Sequence, residues 1–278
     1  MNSSGDSKSI LLPEAYQHYN LIDEANRLSG IHGQLELIRT RELLTRFLPK
    51  PPAYIVDVGG GAGIHSFWLA EQGYDVHLID AVPHHIENAK ETARQLSHVP
   101  VVIEVGDART LPLNDGMADA VLLFGPLYHL TSRDERVQCI AEARRILRSN
   151  GVAMGVGIPS FASLVNCLSD GALSDTYFRS IVDGDLNDGQ HRNPNADPRF
   201  FTTTFFHHPD ELVEEFAAGG FEEQRLIAVE GPGKLLHNFE ECWNVSEHRE
   251  WLLDVIRRVE EEPHLFGVST HLMTVAKC

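Results

Sequence analysis

The sequence predicts an α/β fold in which short parallel strands alternate with helices, and three observations carry that prediction. The run Tyr54-Ile55-Val56-Asp57-Val58 is rich in β-formers, too short for a helix, and passes directly into a glycine-rich turn. Comparable apolar runs recur at Val76–Ile79, Val101–Val105 and Asp119–Phe124. Acids stand at three of the predicted strand ends, Asp57, Asp80 and Asp107.

The turn itself reads Gly59-Gly60-Gly61-Ala62-Gly63, after which Phe67, Trp68 and Leu69 open a helix that Gly73 stops. Glycines at this point let a ligand approach the backbone, and a helix N-terminus favours electronegative atoms. The dinucleotide pattern Gly-x-Gly-x-x-Gly fails here, because Ile64 occupies the place of its third glycine. Asp57 would repel a pyrophosphate and welcome an ammonium group, so the loop suits a cofactor with a positive end. Asp80 follows Gly59 by 21 residues, the spacing at which a carboxylate accepts hydrogen bonds from a ribose diol. Asp107, after the third strand, is placed to accept from an adenine amino group.

The remaining elements follow in order. Residues 1 to about 12 form a polar tail expected to be disordered. Pro13 to Leu48 reads as two helices, the second with Leu37, Leu44, Phe47 and Leu48 on one side, and residues 1–50 together are expected to cap the pocket. Ser132-Arg133-Asp134-Glu135 reads as a capping box opening a helix whose Val137, Ile140, Ala143 and Leu147 share a face. Val152–Ile158 is the fifth strand. Beyond Pro159 the alternation lapses: Asp183-Gly184-Asp185, Asn187-Asp188-Gly189 and Asn193-Pro194-Asn195 read as turns within an inserted lid at about 160–208. A short helix begins at Pro209, a strand covers 222–230, a helical insertion lies at about 231–268, and a last strand covers His271–Ala276.

Composition narrows the function classes. With 278 residues, 42% of them hydrophobic, the chain can bury one large α/β core plus a modest cap, so residues 51–278 are expected to form one domain. A formal charge of −17 argues against a nucleic-acid partner, which would need clustered Lys and Arg. Four cysteines without a metal-binding spacing, a polar start and no apolar run long enough to span a membrane point to a cytoplasmic protein with no membrane partner. The run Glu260-Glu261-Glu262 reads as a solvated helix end.

On Val56–Gly63, Leu78-Ile79-Asp80, Gly106-Asp107-Ala108, Asp119–Phe124 and Leu147–Gly151 the sequence resembles the class I S-adenosylmethionine-dependent methyltransferases. The resemblance implies a Rossmann-like seven-stranded sheet of order 3-2-1-4-5-7-6, with the last strand antiparallel. It assigns the methionine part of S-adenosylmethionine to Asp57, Gly59, Gly60, Gly61 and Gly63, the ribose to Asp80 with Ala81, and the adenine to Asp107 with Ala108. Phe124 would line the same pocket, and Tyr19 and Arg27 of the N-terminal cap would close over the methionine end. The stretch Phe124-Gly125-Pro126-Leu127-Tyr128-His129-Leu130 looks more narrowly like bacterial members near the ubiquinone/menaquinone methyltransferases.

The implied chemistry is an in-line methyl transfer, accelerated mainly by positioning. A base is needed only if the nucleophile must lose a proton, and His129, following the fourth strand, is the first candidate, with Tyr128 beside it. His207 and His208 are weaker candidates. Neither His84-His85 nor His207-His208 has metal-ligand spacing, so no metal is expected. Aromatics between Phe161 and Phe206, with Arg179, Arg192 and Arg199, suggest a small, partly apolar acceptor methylated at oxygen or nitrogen. The alternatives are a methyltransferase acting on nucleic acid or protein, and a nicotinamide-dependent oxidoreductase.

Overall fold

The computed structural model describes residues 11–21, 28, 30–96, 100–169 and 171–278. Arg27 and the tail up to residue 10 lie outside the described residues. Two helices come first, α1 (Pro13–Leu21) and α2 (Ile31–Phe47). The alternating core follows as β1 (Tyr54–Val58), α3 (Ile64–Glu71), β2 (Asp75–Asp80), α4 (Pro83–Gln95), β3 (Val101–Val105), β4 (Ala118–Leu123), α5 (Pro126–His129), α6 (Arg133–Ile146) and β5 (Leu147–Pro159). Then come α7 (Ala162–Ser169), α8 (Thr176–Asp188), the short strands β6 (Gln190–His191) and β7 (Thr204–His207), α9 (Pro209–Ala218), β8 (Glu223–Ala228), α10 (Phe239–Trp243), α11 (Ser246–Val259) and β9 (Leu272–Lys277).

The seven long strands lie in the order β3-β2-β1-β4-β5-β9-β8. Counted along the chain, that is 3-2-1-4-5-7-6, as the family resemblance implied. β1 to β5 pair in parallel, and β9 enters antiparallel between β5 and β8. The β6–β7 ribbon is an addition, joined to the far end of β5 through Ile158 and Pro159.

Period-two alternation sends neighbouring residues to opposite faces of the sheet. Val121 and Leu123 join Ile140 and Ala143 of α6 and Leu212 and Phe216 of α9 on one side. Ala120 and Leu122 join Leu43 and Leu44 of α2 and Leu69 of α3 on the other. Small residues make room for this packing: a Cβ at Gly155 would lie 2.6 Å from the Phe216 ring.

Three local readings need correction. Residues 183–185 are not a turn but part of α8, because Phe178, Ile181, Val182 and Asp185 fall on one buried helical face and Asp175 caps its start by accepting from the amides of Tyr177 and Phe178. Ser132 precedes α6 as expected, yet its side chain makes no capping bond. Glu260 is not solvated: it is buried and ion-paired with Arg39 and Arg46, so α2 is clamped onto the C-terminal helices. Leu35 of α2 adds to that clamp by packing with Phe239, Trp243, Leu253 and Ile256.

Candidate functional site

The C-terminal ends of β1, β2, β3 and β4 converge on one cleft. Gly59, Gly61 and Gly63 all have positive φ, between 59° and 87°, where side chains are strained. A Cβ at Gly59 would also lie 2.6 Å from Pro126 Cδ, and one at Gly60 2.4 Å from Asp57 Oδ2. Asp80 ties the loop in place. Its Oδ2 accepts from the Gly61 amide at 2.8 Å and its Oδ1 from the Val82 amide at 2.8 Å, with His85 Nδ1 at 3.2 Å.

Asp57 is fully buried and accepts from Ser66 Oγ at 2.6 Å through Oδ2, while Oδ1 has no hydrogen-bond partner among the described residues. Burial, helped by the charge of Asp80 and opposed by the Ser66 hydrogen bond, pushes its carboxyl up to about 6. An orphaned carboxylate oxygen at the glycine loop is a place for a cation. Asp107, at the opposite end, is held by a two-nitrogen fork from Arg109, which also binds Glu135 at 2.7 Å. The one signal for this fork in the sequence is that Arg109 follows Asp107 by two residues.

Helix α1 crosses this cleft. Tyr16 donates to the Ala81 carbonyl at 3.3 Å, and Tyr19 packs edge-on against His85 and His129. The Tyr19 hydroxyl meets His129 Nε2 at 2.6 Å. Burial pushes the His129 imidazole down to about 3, so it is neutral across the physiological range. His129 thus has one nitrogen engaged by Tyr19 and an environment that disfavours a proton. His207 lines neither cavity: on β7, paired with β5, it is buried against Glu215 within the network that Arg136 closes. Tyr128 donates to the Phe124 carbonyl at 2.7 Å and presents its ring rather than a free hydroxyl.

A second cavity adjoins the first. Its walls include Tyr128, Phe178, Phe200, Phe201 and Phe206, and Tyr19, Tyr128 and His271 line both cavities. Of the three arginines singled out in the sequence, only Arg199 reaches it, and that guanidinium already pairs with Asp197 and Asp175. Arg192 is exposed and paired with Asp188. The cation that does line the chamber without an ion pair among the described residues is Lys234. At the junction, His271 Nδ1 lies 2.6 Å from Glu230 Oε1, and Glu36 Oε2 is 3.8 Å from the same nitrogen. These three side chains form the one group among the described residues whose potential metal-ligand atoms cluster within 4.8 Å.

Residues 55–151 match the sequence family described as a methyltransferase domain. Over 102 residues the chain is 34% identical to a malonyl-[acyl-carrier protein] O-methyltransferase of Geobacter sulfurreducens, covering 36% of this chain and 37% of that one. Over 100 residues it is 32% identical to a glycine/sarcosine N-methyltransferase of Parasynechococcus marenigrum, covering 35% of each. The chain carries a class I S-adenosylmethionine-dependent methyltransferase domain. The structure of an S-adenosylmethionine-dependent methyltransferase from Methanosarcina mazei shares the fold, with a TM-score of 0.55 at 18% identity over 84% of this chain and 96% of that one. The chain spans about a third to a half of the length of the curated relatives it matches.

The residues of this methyltransferase domain fit S-adenosylmethionine. The glycine backbone leaves the room that a Cβ would fill, and the orphaned Asp57 oxygen matches an ammonium. Asp80, Ala81, Asp107, Ala108 and Phe124 line the same cleft, as does Tyr19. Sequence reasoning missed Glu230, Lys234 and His271, which come from segments far along the chain. The only available signal was a histidine just ahead of the last strand.

Proposed function

We propose that the protein transfers a methyl group from S-adenosylmethionine to a small, partly apolar molecule held in the aromatic chamber. The observation that carries this reading is the shared wall of Tyr19, Tyr128 and His271, where the cleft of the methyltransferase domain opens on the chamber. S-adenosylmethionine supplies an electrophilic methyl on a sulfonium. Asp57 and Gly59 to Gly63 would hold its methionine end, Asp80 its ribose and Asp107 its adenine, with α1 as a cap and Arg27 as a further contact. The aromatic walls exclude water and orient a flat acceptor, and Tyr128 and His129 border the reacting end. Residues 160–208 act as the lid of this chamber. Relatives that methylate oxygen and nitrogen both match this domain. The protein-bound acceptor named for the Geobacter relative makes a carrier-linked substrate the second reading. A charge of −17 supports a partner other than nucleic acid, and four free cysteines support a cytoplasmic setting.

The test is a screen of small acceptors following S-adenosylhomocysteine release, with wild type and with residues 192–199 shortened. Release with a flat apolar acceptor is expected, with a changed substrate ranking in the shortened form. Release only with acyl-carrier-protein substrates would replace the small-molecule reading.

A further inference from the structure

We propose, building on the methyl-transfer reading, that His271 is the general base of the reaction, that Glu230 positions it, and that the acceptor is therefore a hydroxyl of the phenolic kind. His271 stands at the wall common to the two cavities, where a nucleophile in the chamber faces the donor cleft. Glu230 is completely buried, and its oxygens are directed at His271: Oε1 at the ring Nδ1, 2.6 Å away, and Oε2 at the His271 amide, 3.0 Å away. Ser269 Oγ, 3.2 Å from Oε2, completes the cradle. A carboxylate can only accept, so Nδ1 carries a hydrogen and the lone pair of the neutral ring sits on Nε2. That nitrogen has no hydrogen-bond partner among the described residues. The arrangement is a base oriented by a buried carboxylate, with its free nitrogen left for a substrate proton.

Every charged group facing His271 bears on its titration. Burial lowers the imidazole's pKa, but Glu230 and then Glu36 of α2 outweigh it, with Lys234 opposing, and the net shift is upward from the ordinary value. The same pairing holds Glu230 ionised in spite of its burial. Burial drives His129 in the opposite direction, and the charge of Asp80 raises it too little to compensate.

The step balances without a further reactant. The acceptor oxygen gains the methyl group as the donor's carbon–sulfur bond breaks, and its proton passes to His271 Nε2 and on to solvent. Lys234, close enough to act on the charges of both Glu230 and His271, favours the oxygen's developing negative charge. Aromatic walls complete the fit to a ring-bearing hydroxyl.

The experiment uses the full chain as wild type, His271→Gln and Glu230→Gln. Turnover with phenolic acceptors and their amine counterparts is followed against pH, S-adenosylhomocysteine affinity by calorimetry, and the histidine ring signals by NMR. In wild type, phenol turnover should rise with pH as His271 loses its proton. Glu230→Gln should move that limb and the His271 NMR titration to lower pH. His271→Gln should cost roughly a hundredfold in kcat while S-adenosylhomocysteine affinity is retained. Unchanged turnover and pH profile in His271→Gln, or amines accepted in place of phenols, would overturn the dyad alone. Turnover abolished by a chelator and restored by magnesium would make Glu36, Glu230 and His271 a metal site and overturn it too. Failure of wild type to bind S-adenosylmethionine would overturn the methyl-transfer reading itself, and the dyad with it.

Discussion

The proposed donor cleft and the proposed acceptor chamber share a wall but are built by different means. Most of the cleft comes from one stretch of chain, residues 57–130, crossed by α1, with Glu36, Thr40, Val156, Val229 and His271 added from elsewhere, and its backbone contacts are local or lie between adjacent strand ends. Asp80 reaches the Gly61 amide across two neighbouring strands, and Asp57 reaches Ser66 nine residues on. The chamber draws on α5, α7, α8, the loop before β7, the turn after β8 and the residues just before β9. His271 on its wall and the buried Glu230 that holds it are separated by 41 residues. Backbone geometry fixes the first region, whereas side-chain packing decides the second.

That contrast can be broken experimentally, and the largest effect should come from Asp80. Asp80→Ala removes the acceptor for two backbone amides as well as the proposed ribose contact, each charge-assisted bond being worth about 1.5–3 kcal/mol. S-adenosylhomocysteine affinity measured by calorimetry should fall by at least tenfold. An unchanged value would mean that the cleft does not depend on this carboxylate.

A smaller effect, and one with a definite sign, belongs to Asp57. Its carboxyl is raised from 3.8 to about 6 in the folded protein. The folded state therefore binds more protons than the unfolded state between those values, and this group's contribution to stability declines as pH rises through that window. A cofactor ammonium beside Oδ1 would favour the ionised form. Affinity should then fall by up to about tenfold for each pH unit below 6, with proton release on binding, and Asp57→Asn should flatten the dependence. Equal affinities on both sides of pH 6 in wild type would remove Asp57 from the ammonium site.

The smallest effects should separate the chamber's working walls from its surface. Phe201 contacts Tyr128, His129 and His191 through its ring, so Phe201→Ala should raise the acceptor KM and leave donor affinity alone. The loss of such ring contacts is worth about 0.5–1.5 kcal/mol each. Arg192→Ala should change neither parameter, since its exposed pair with Asp188 contributes about 0–1 kcal/mol to stability. A donor-affinity loss in Phe201→Ala would show that the two regions are coupled.

The sheet order came with the resemblance to the methyltransferases; the sequence by itself determined the strand runs, the glycine turn and the acids at the strand ends. Those features follow from short-range rules: β-formers in runs, glycine where φ is positive, and strand ends that must converge on one edge of a parallel sheet. They were legible because each signal occupies a few adjacent residues. The helix at 176–188 was misread for the converse reason. Asp183-Gly184-Asp185 is locally turn-like, and only burial of Phe178, Ile181 and Val182 against Cys167 and its neighbours holds it helical. Tertiary structure alone decided which histidine meets a carboxylate. His129 was placed correctly beside the cleft, but its environment strips it of basicity, while Glu230 and Glu36 confer basicity on His271. A pKa depends on the charges and solvent that the fold brings within a few ångströms, and neither is written in the spacing of residues along the chain.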